Sequence, residues 1–371
     1  MKKKILFLIE SFIAGGAERV LLSLANAIDK TKYDVTVVSI FKKSVYDGYD
    51  AKFDEEFSPD VHRRYLIDNT VRWKYLLFNY LYNRLPKKWF YRFLIGYGYD
   101  TEVAFYEGLP TVFLSNSTNK KSRKIAWLHY GNGFADSEGK KREQYQKVYS
   151  GYDVIVGVSK GVCDNFIRRV GLKKNIVLRY NIFDDEKIRV KAGNAVKKVN
   201  VPTSFVAVGR LCEVKGYDRL LRVCLRLHHE NFDFRIDIVG GGECEELSKM
   251  VKDNSMSDYV HILGHKDNPY PYVKVSDWLV SSSYAEGFSN VIAESMIIGT
   301  PVISTLCCAT KELLGESEWG ICCENSEKGL YSAMKSVLSD KEKHEFYREK
   351  ALKRGERFKK QVLLEGVESL F

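Results

Sequence analysis

The sequence predicts an α/β chain of two similar halves, each a parallel sheet with helices on both faces. Three observations lead there. The chain has 371 residues, room for about two domains of roughly 150 each. Short β-branched or apolar runs alternate along it with amphipathic helical patterns, the mark of βαβ units. The alternation then begins again beyond a polar, lysine-rich stretch, Asp184–Pro202, the best linker candidate.

In chain order, Lys4–Glu10 reads as the first strand and Ala17–Ala27 as a helix, with Val20, Leu21, Leu24, Ala25 and Ile28 forming its apolar stripe. Asp34–Phe41, Asp100–Phe105, Lys124–His129 and Val154–Ser159 are further short strands. The second half runs Ser204–Val208 (strand), Gly216–His228 (helix), Phe234–Val239 (strand), Glu245–Asn254 (helix), Val260–Leu263 and Trp278–Ser282 (strands), Asn290–Ile298 (helix) and Pro301–Thr305 (strand). The basic tail from Lys341 to Phe371 is helical. Two Rossmann-like halves are the most economical architecture.

Composition removes several classes. Apolar residues make up 45% and charged residues 29%, an ordinary globular balance that argues against extensive disorder. With 27 glycines and 7 prolines, collagen-like and low-complexity readings fail. No run approaches the 18 or so apolar residues of a spanning helix. The N-terminal run Ile5–Ile9 stops at Glu10, too short for a signal-peptide core, so it reads as a buried strand. The eight cysteines lack zinc spacing: Cys307-Cys308 and Cys322-Cys323 are adjacent pairs, and free thiols in a reducing cytoplasm are expected. A net charge of +10 invites a polyanionic partner.

Residues 72–97 depart from the rhythm. Arg72, Lys74, Arg84, Lys87, Lys88 and Arg92 are interleaved with ten aromatics and no acid. Such a segment suits an anionic bilayer surface, rings at headgroup depth and cations on lipid. Surface helices packed on the sheet, or stacking on single-stranded nucleic acid, are the alternatives. The membrane reading is preferred, because no nucleic-acid motif accompanies the charge.

Three loops carry the chemistry. Gly15-Gly16 lies between the first strand and first helix, where glycine admits close backbone approach and the helix N-terminus favours an anion. In the loop 209–216, Arg210 and Lys215 follow a strand, so a guanidinium fork and a point charge can converge on one phosphate. In the block 283–294, Ser289 or Asn290 is expected to cap a helix whose first N–H groups face the loop. Glu286 and Glu294 frame that helix N-terminus, Gly287 stands beside the first, and Gly299 and Pro301 end the helix.

At these residues the chain resembles the retaining glycosyltransferases of the GT-B fold, family 4. The likeness rests on GGAERVLLSLA at 15–25, GRLCEVKG at 209–216 and EGFSNVIAE at 286–294. Weaker matches are Trp127-Leu128-His129, Val158-Ser159-Lys160, Asn181, Val239–Gly242 and Asn268-Pro269. The resemblance implies two Rossmann-like domains facing each other across a donor-binding cleft: an acceptor domain over 1–180, a nucleotide-sugar domain over 181–352, and a C-terminal helix, 353–371, packing back on the first. It implies that Arg210 and Lys215 hold the donor diphosphate, with help from the backbone of Gly287, Phe288, Ser289 and Asn290. Glu294 would bind the ribose and Glu286 the sugar near its reacting carbon. Gly15 and Gly16 would approach the diphosphate from the facing domain, and His129 would lie near donor sugar and acceptor.

The expected activity is therefore metal-independent, retaining transfer of a hexosyl group from a nucleotide sugar. UDP is the common choice among relatives. The acceptor would be a lipid-linked or oligosaccharide molecule of surface polysaccharide or glycolipid synthesis, met at the cytoplasmic face of the membrane, with no nucleic-acid partner. A sugar-nucleotide epimerase of the same fold and a non-catalytic module for anionic lipid are the competing readings.

Overall fold

A computed structural model describes residues 1–12, 15–43, 56–130, 134, 137–173, 175–198, 200–242 and 245–371. The chain divides into two compact units, Met1–Ile182 with Leu363–Phe371, and Phe183–Val362.

The first unit is built on seven strands: β1 Lys3–Ile9, β2 Tyr33–Phe41, β3 Val61–Ile67, β4 Thr101–Ala104, β5 Arg123–Leu128, β6 Val154–Gly157 and β7 Ile176–Leu178. They lie in the order β3-β2-β1-β4-β5-β6-β7, and each neighbouring pair is parallel. Ile5 to Ile9 are all buried, because helices cover both faces of a central parallel strand, and that explains an apolar run without alternation. The edge strands β3 and β7 escape the sequence pattern: β3 buries Val61 but exposes His62 to Tyr65, as an edge strand does.

The second unit repeats the design with β8 Ser204–Val208, β9 Arg235–Val239, β10 Val260–Gly264, β11 Trp278–Ser281, β12 Val302–Thr305 and β13 Ile321–Cys323. Their order is β10-β9-β8-β11-β12-β13, again with every pair parallel. The helix Tyr217–His229 buries Leu220, Leu221, Cys224 and Leu227 against Phe205, Ile236 and Trp278 in one core. In both sheets the order reverses beside the first strand, between β1 and β4 and between β8 and β11. Outside the carboxyl ends at that reversal a doubly wound sheet leaves a crevice for ligands.

Two differences from the sequence reading have physical causes. The linker candidate Asp184–Pro202 opens as a helix, Asp185–Ala192, capped by the Asp184 carboxylate, which accepts from the Lys187 N–H at 3.3 Å. Ile188 and Ala192 are its buried apolar residues and it packs on the helices Tyr270–Val275 and Asn290–Ile298; charge on its remaining faces hides it in the composition. The helical tail forms Glu342–Gly355 and Lys360–Glu368, and its last nine residues are part of the first unit. There Lys3 Nζ donates to the Phe371 carbonyl at 2.9 Å, the Asp29 N–H donates to Glu368 at 2.9 Å, and Phe371 packs edge-on to Phe7 at 5.7 Å. Among the described residues no cysteine forms a disulfide; Cys244 lies outside them.

Residues 72–97 fold as the helices Arg72–Arg84 and Lys87–Phe90 followed by a wide turn, Tyr91–Ile95. Half of the segment packs inward. Phe78 meets Phe41, Tyr82 and Phe90, and the Tyr91 hydroxyl donates to the buried Glu102 carboxylate on β4. The other half faces water: Trp73 (62% exposed), Leu76, Leu77 and Tyr80 make one helical stripe, and Trp89, Phe93 (78%) and Tyr97 are also exposed. No described helix is long and apolar enough to cross a membrane.

Candidate functional site

In the second unit the strand reversal brings two of the marked loops together. The loop after β8 makes a tight turn, Glu213–Lys215, and ends at Gly216 in the left-handed region (φ +63). A Cβ there would stand 2.3 Å from the Ser282 carbonyl, so only glycine lets the loop after β8 press on the loop after β11. Across this contact the Lys215 ammonium pairs with the Glu286 carboxylate, which also accepts from Ser283 Oγ at 2.9 Å. The Ser282 hydroxyl donates to the Lys215 carbonyl at 2.9 Å. Lys215, Ser283, Glu286 and Ser289 line one small pocket. Arg210 is exposed at the end of β8, and its strand end is tied to β9 by Leu211 N–H to the Gly241 carbonyl at 2.8 Å.

The helix Asn290–Ile298 begins beside this pair. Ser289 occupies the N-cap position with extended backbone, but its side chain makes no cap hydrogen bond, and this corrects the expected cap. Backbone position makes a residue the N-cap, whereas its rotamer follows packing, and Ser289 is buried. Gly299 ends the helix in the left-handed region at φ +95, as its place in the sequence predicts. Glu294, one turn into the helix, accepts from the buried Tyr270 hydroxyl at 3.1 Å. A lysine–glutamate ion pair, a helix N-terminus and a fixed carboxylate thus gather at one strand reversal. That arrangement can hold an anion at one end and hydroxyl groups at the other. A cavity of about 430 Å³, lined by Lys198, Asp277, Thr300 and His344 among others, lies at the opposite edge of the sheet and holds none of these residues.

Gly15, Gly16 and His129 are in the first unit, each at a strand's carboxyl end. Gly15 precedes the helix Gly16–Ala27, and a Cβ on it would fall 2.2 Å from Glu18 Oε2. The near neighbour of that Cβ is thus the flexible end of the Glu18 side chain, a carboxylate that the helix dipole favours in the first turn. Gly16 is exposed. His129 follows β5, its ring packed on Phe105 at 4.8 Å and on Tyr106 at 5.9 Å. The backbone N–H groups of His129 and Tyr130 both donate to Glu107 Oε1, at 2.9 and 2.8 Å.

Burial governs the charge of this pair. It pushes the Glu107 carboxyl up to about 7, against the backbone N–H groups of Tyr130, Glu107 itself and His129, which favour the anion. It pushes the His129 imidazole down to about 3, so the ring is neutral at physiological pH. Glu107 Oε2 and His129 Nε2 are both buried without a hydrogen-bond partner.

Sequence reasoning marked Lys215 and Glu286 separately, and the structure joins them. It missed Ser283, which orients Glu286; Tyr270, which orients Glu294; and Glu107, which holds the backbone of His129. Glu107 had a usable signal, standing with Gly108 just beyond the predicted strand Asp100–Phe105. Tyr270 had only its place after Asn268-Pro269. Among the described residues no three His, Cys, Asp or Glu side chains gather as a metal site would need.

Comparison with known proteins converges on one family. A family model described as Glycosyl transferases group 1 matches residues 202–340, and one described as Glycosyltransferase Family 4 matches residues 14–187. An N-acetylgalactosamine-N,N'-diacetylbacillosaminyl-diphospho-undecaprenol 4-alpha-N-acetylgalactosaminyltransferase of Campylobacter jejuni is 30% identical over 218 residues, 57% of this chain and 58% of that protein. An uncharacterised glycosyltransferase of Haemophilus influenzae is 26% identical over 328 residues, 88% of this chain and 87% of that one. Among solved structures, HepE of Anabaena in complex with UDP and glucose superposes with a TM-score of 0.77 at 17% identity, covering 99% of this chain and 98% of its own. The fold is GT-B, two Rossmann-like domains each built on a parallel sheet.

Proposed function

We infer the reaction from this premise: the chain belongs to the glycosyltransferases of group 1 and family 4. It is a hexosyltransferase of surface polysaccharide or glycolipid synthesis, and it moves the sugar from a nucleotide sugar, a UDP-sugar, with retention. The observation that carries the reading is the meeting of Lys215, Glu286 and the N-terminus of Asn290–Ile298 at the β8–β11 reversal.

Breaking a glycosyl–phosphate bond places negative charge on the departing diphosphate and positive charge on the sugar. Arg210 and Lys215 answer the first, with the backbone of Gly287, Phe288, Ser289 and Asn290 and the helix dipole beside them. Because this charge grows as the bond breaks, such contacts act chiefly on the transition state. Glu286 lies at Lys215 and faces the sugar carbon; Glu294, steadied by Tyr270, takes the ribose hydroxyls. In the first unit, Gly15 and Gly16 offer a helix N-terminus suited to a phosphate, and the neutral His129 a ring suited to a sugar. These fixed cations fill the part a metal ion would play on the diphosphate, so the transfer proceeds without one.

The acceptor is lipid-linked or an oligosaccharide. The Campylobacter relative carries a diphospho-undecaprenol in its name. The exposed stripe Trp73, Leu76, Leu77 and Tyr80, with Lys74, Arg84, Lys87 and Lys88 alongside, suits an anionic bilayer on the cytoplasmic face, where such lipids collect.

The test is a thermal-shift panel of UDP, GDP, ADP and CMP, free and as sugar conjugates, on the wild type and Glu294→Ala. A ligand at about 100 times its Kd adds roughly 2.7 kcal/mol of apparent stability. Stabilisation by one nucleotide family, lost in the variant, supports the reading. Indifference to all of them refutes it.

A further inference from the structure

Arg219 is the buried cation of the second unit, 2% exposed on the first turn of Tyr217–His229. Its guanidinium reaches the loops that follow three strands. Nε donates to the Ser282 carbonyl at 2.8 Å, and Nη2 donates to the same carbonyl, to the Ser283 carbonyl at 2.7 Å and to Thr305 Oγ1 at 3.2 Å. Nη1 donates to Asn325 Oδ1 at 2.7 Å. Ser282 and Ser283 follow β11, Thr305 ends β12, and Asn325 follows β13. Asn325 extends the fastening by donating to the Tyr284 carbonyl at 2.9 Å and the Leu306 carbonyl at 3.0 Å. The Tyr284 ring covers the guanidinium at 4.1 Å.

The hydrogen-bonding partners of this cation are neutral carbonyls, a hydroxyl and an amide. The neighbouring Asp218 carboxylate is engaged by Arg222 and the Tyr284 hydroxyl instead. A buried guanidinium held this way has two consequences. It fixes Ser282 and Ser283, and so the hydroxyl that orients Glu286 and the carbonyl against which Gly216 turns. It also leaves positive charge beneath the pocket, where the low dielectric strengthens its reach.

We propose that Arg219 is a positioning residue that clamps the loops after β11, β12 and β13 into a cradle for the phosphates of a nucleoside diphosphate. The clamp rests on the transferase reading above and extends it to a residue that does not touch the ligand. Lysine cannot replace it, because one ammonium cannot span carbonyl, hydroxyl and amide partners in the fork's geometry.

The experiment compares UDP and uridine binding by ligand-observed NMR on wild type, Arg219→Lys and Asn325→Ala. Asn325 is exposed, so its variant folds even where the Arg219 change costs stability. The clamp requires at least about tenfold weaker UDP binding in Arg219→Lys and about threefold in Asn325→Ala, with uridine within about twofold of wild type in both, a charged contact being worth about this much. Parallel weakening of UDP and uridine would mark general loosening of the unit and overturn the clamp. Unchanged UDP binding in both variants overturns it as well, while leaving the transferase reading intact. A wild type that binds no UDP overturns the choice of UDP as the donor nucleotide, leaves the transferase reading to the other nucleotides of the panel, and the clamp as stated falls with UDP.

Discussion

Replacing Glu107 by Gln tests the charge state of the first unit directly. Gln keeps an oxygen for the His129 and Tyr130 N–H groups but cannot ionise. The wild-type carboxyl titrates at about 7 in the folded chain against its ordinary 4.5. The folded state therefore holds the proton more tightly, and this contribution is full below pH 4.5 and lost as pH rises through 7. At 1.36 kcal/mol per pH unit the loss is about 3 kcal/mol. For a unit of this size that is roughly 6–12 °C in Tm. The assay is calorimetric melting of wild type and Glu107→Gln from pH 4.5 to 8.5, read as the difference between the two. His129, held down at about 3, destabilises both proteins as pH falls below 6.5, so its effect cancels. The variant should gain on the wild type as pH rises from 4.5 to about 7 and level off above that. Two melting curves that stay parallel would refute the account of a carboxyl kept protonated by burial.

Two further outcomes follow from the site and the surface. Lys215→Ala should lose at least about tenfold in kcat/KM, since one charge-assisted contact is worth roughly 1.5–3 kcal/mol; wild-type kinetics would remove Lys215 from the diphosphate. Reversing Lys87, Lys88 and Arg92 to Glu should weaken sedimentation with phosphatidylserine vesicles by at least about a hundredfold, at ~1 kcal/mol per basic residue. If binding and activity on a lipid-linked acceptor both survive, the segment serves packing alone.

The loops of the site were legible in the sequence because their chemistry is local. A glycine beside a cation just past an apolar run marks the carboxyl end of a strand whatever the surroundings. Strand order is not local: nothing in Ser204–Val208 or Trp278–Ser281 says that they pair, and it is that pairing that brings Lys215 to Glu286. Residues 72–97 were ambiguous for a related reason. Inward and outward rings alike are aromatic, and only the folded helix separates Phe78 and Tyr82 from Trp73 and Tyr80. The helix Asp185–Ala192 was obscured because Ile188 and Ala192 are few among so many charges. Arg219 was hidden more deeply, since a polar side chain inside the fold leaves no periodic trace.

The return of residues 363–371 to the first unit has a consequence for biosynthesis. Phe7 packs against Phe371 and Lys3 donates to the Phe371 carbonyl, so β1 is covered only after residues 363–371 have been made, long after β1 itself. The second unit holds a continuous stretch of chain, Phe183–Val362, and can close while synthesis continues. The first stays open on one flank until residues 363–371 have been made, so a partly synthesised chain exposes apolar surface of β1 that the folded unit covers.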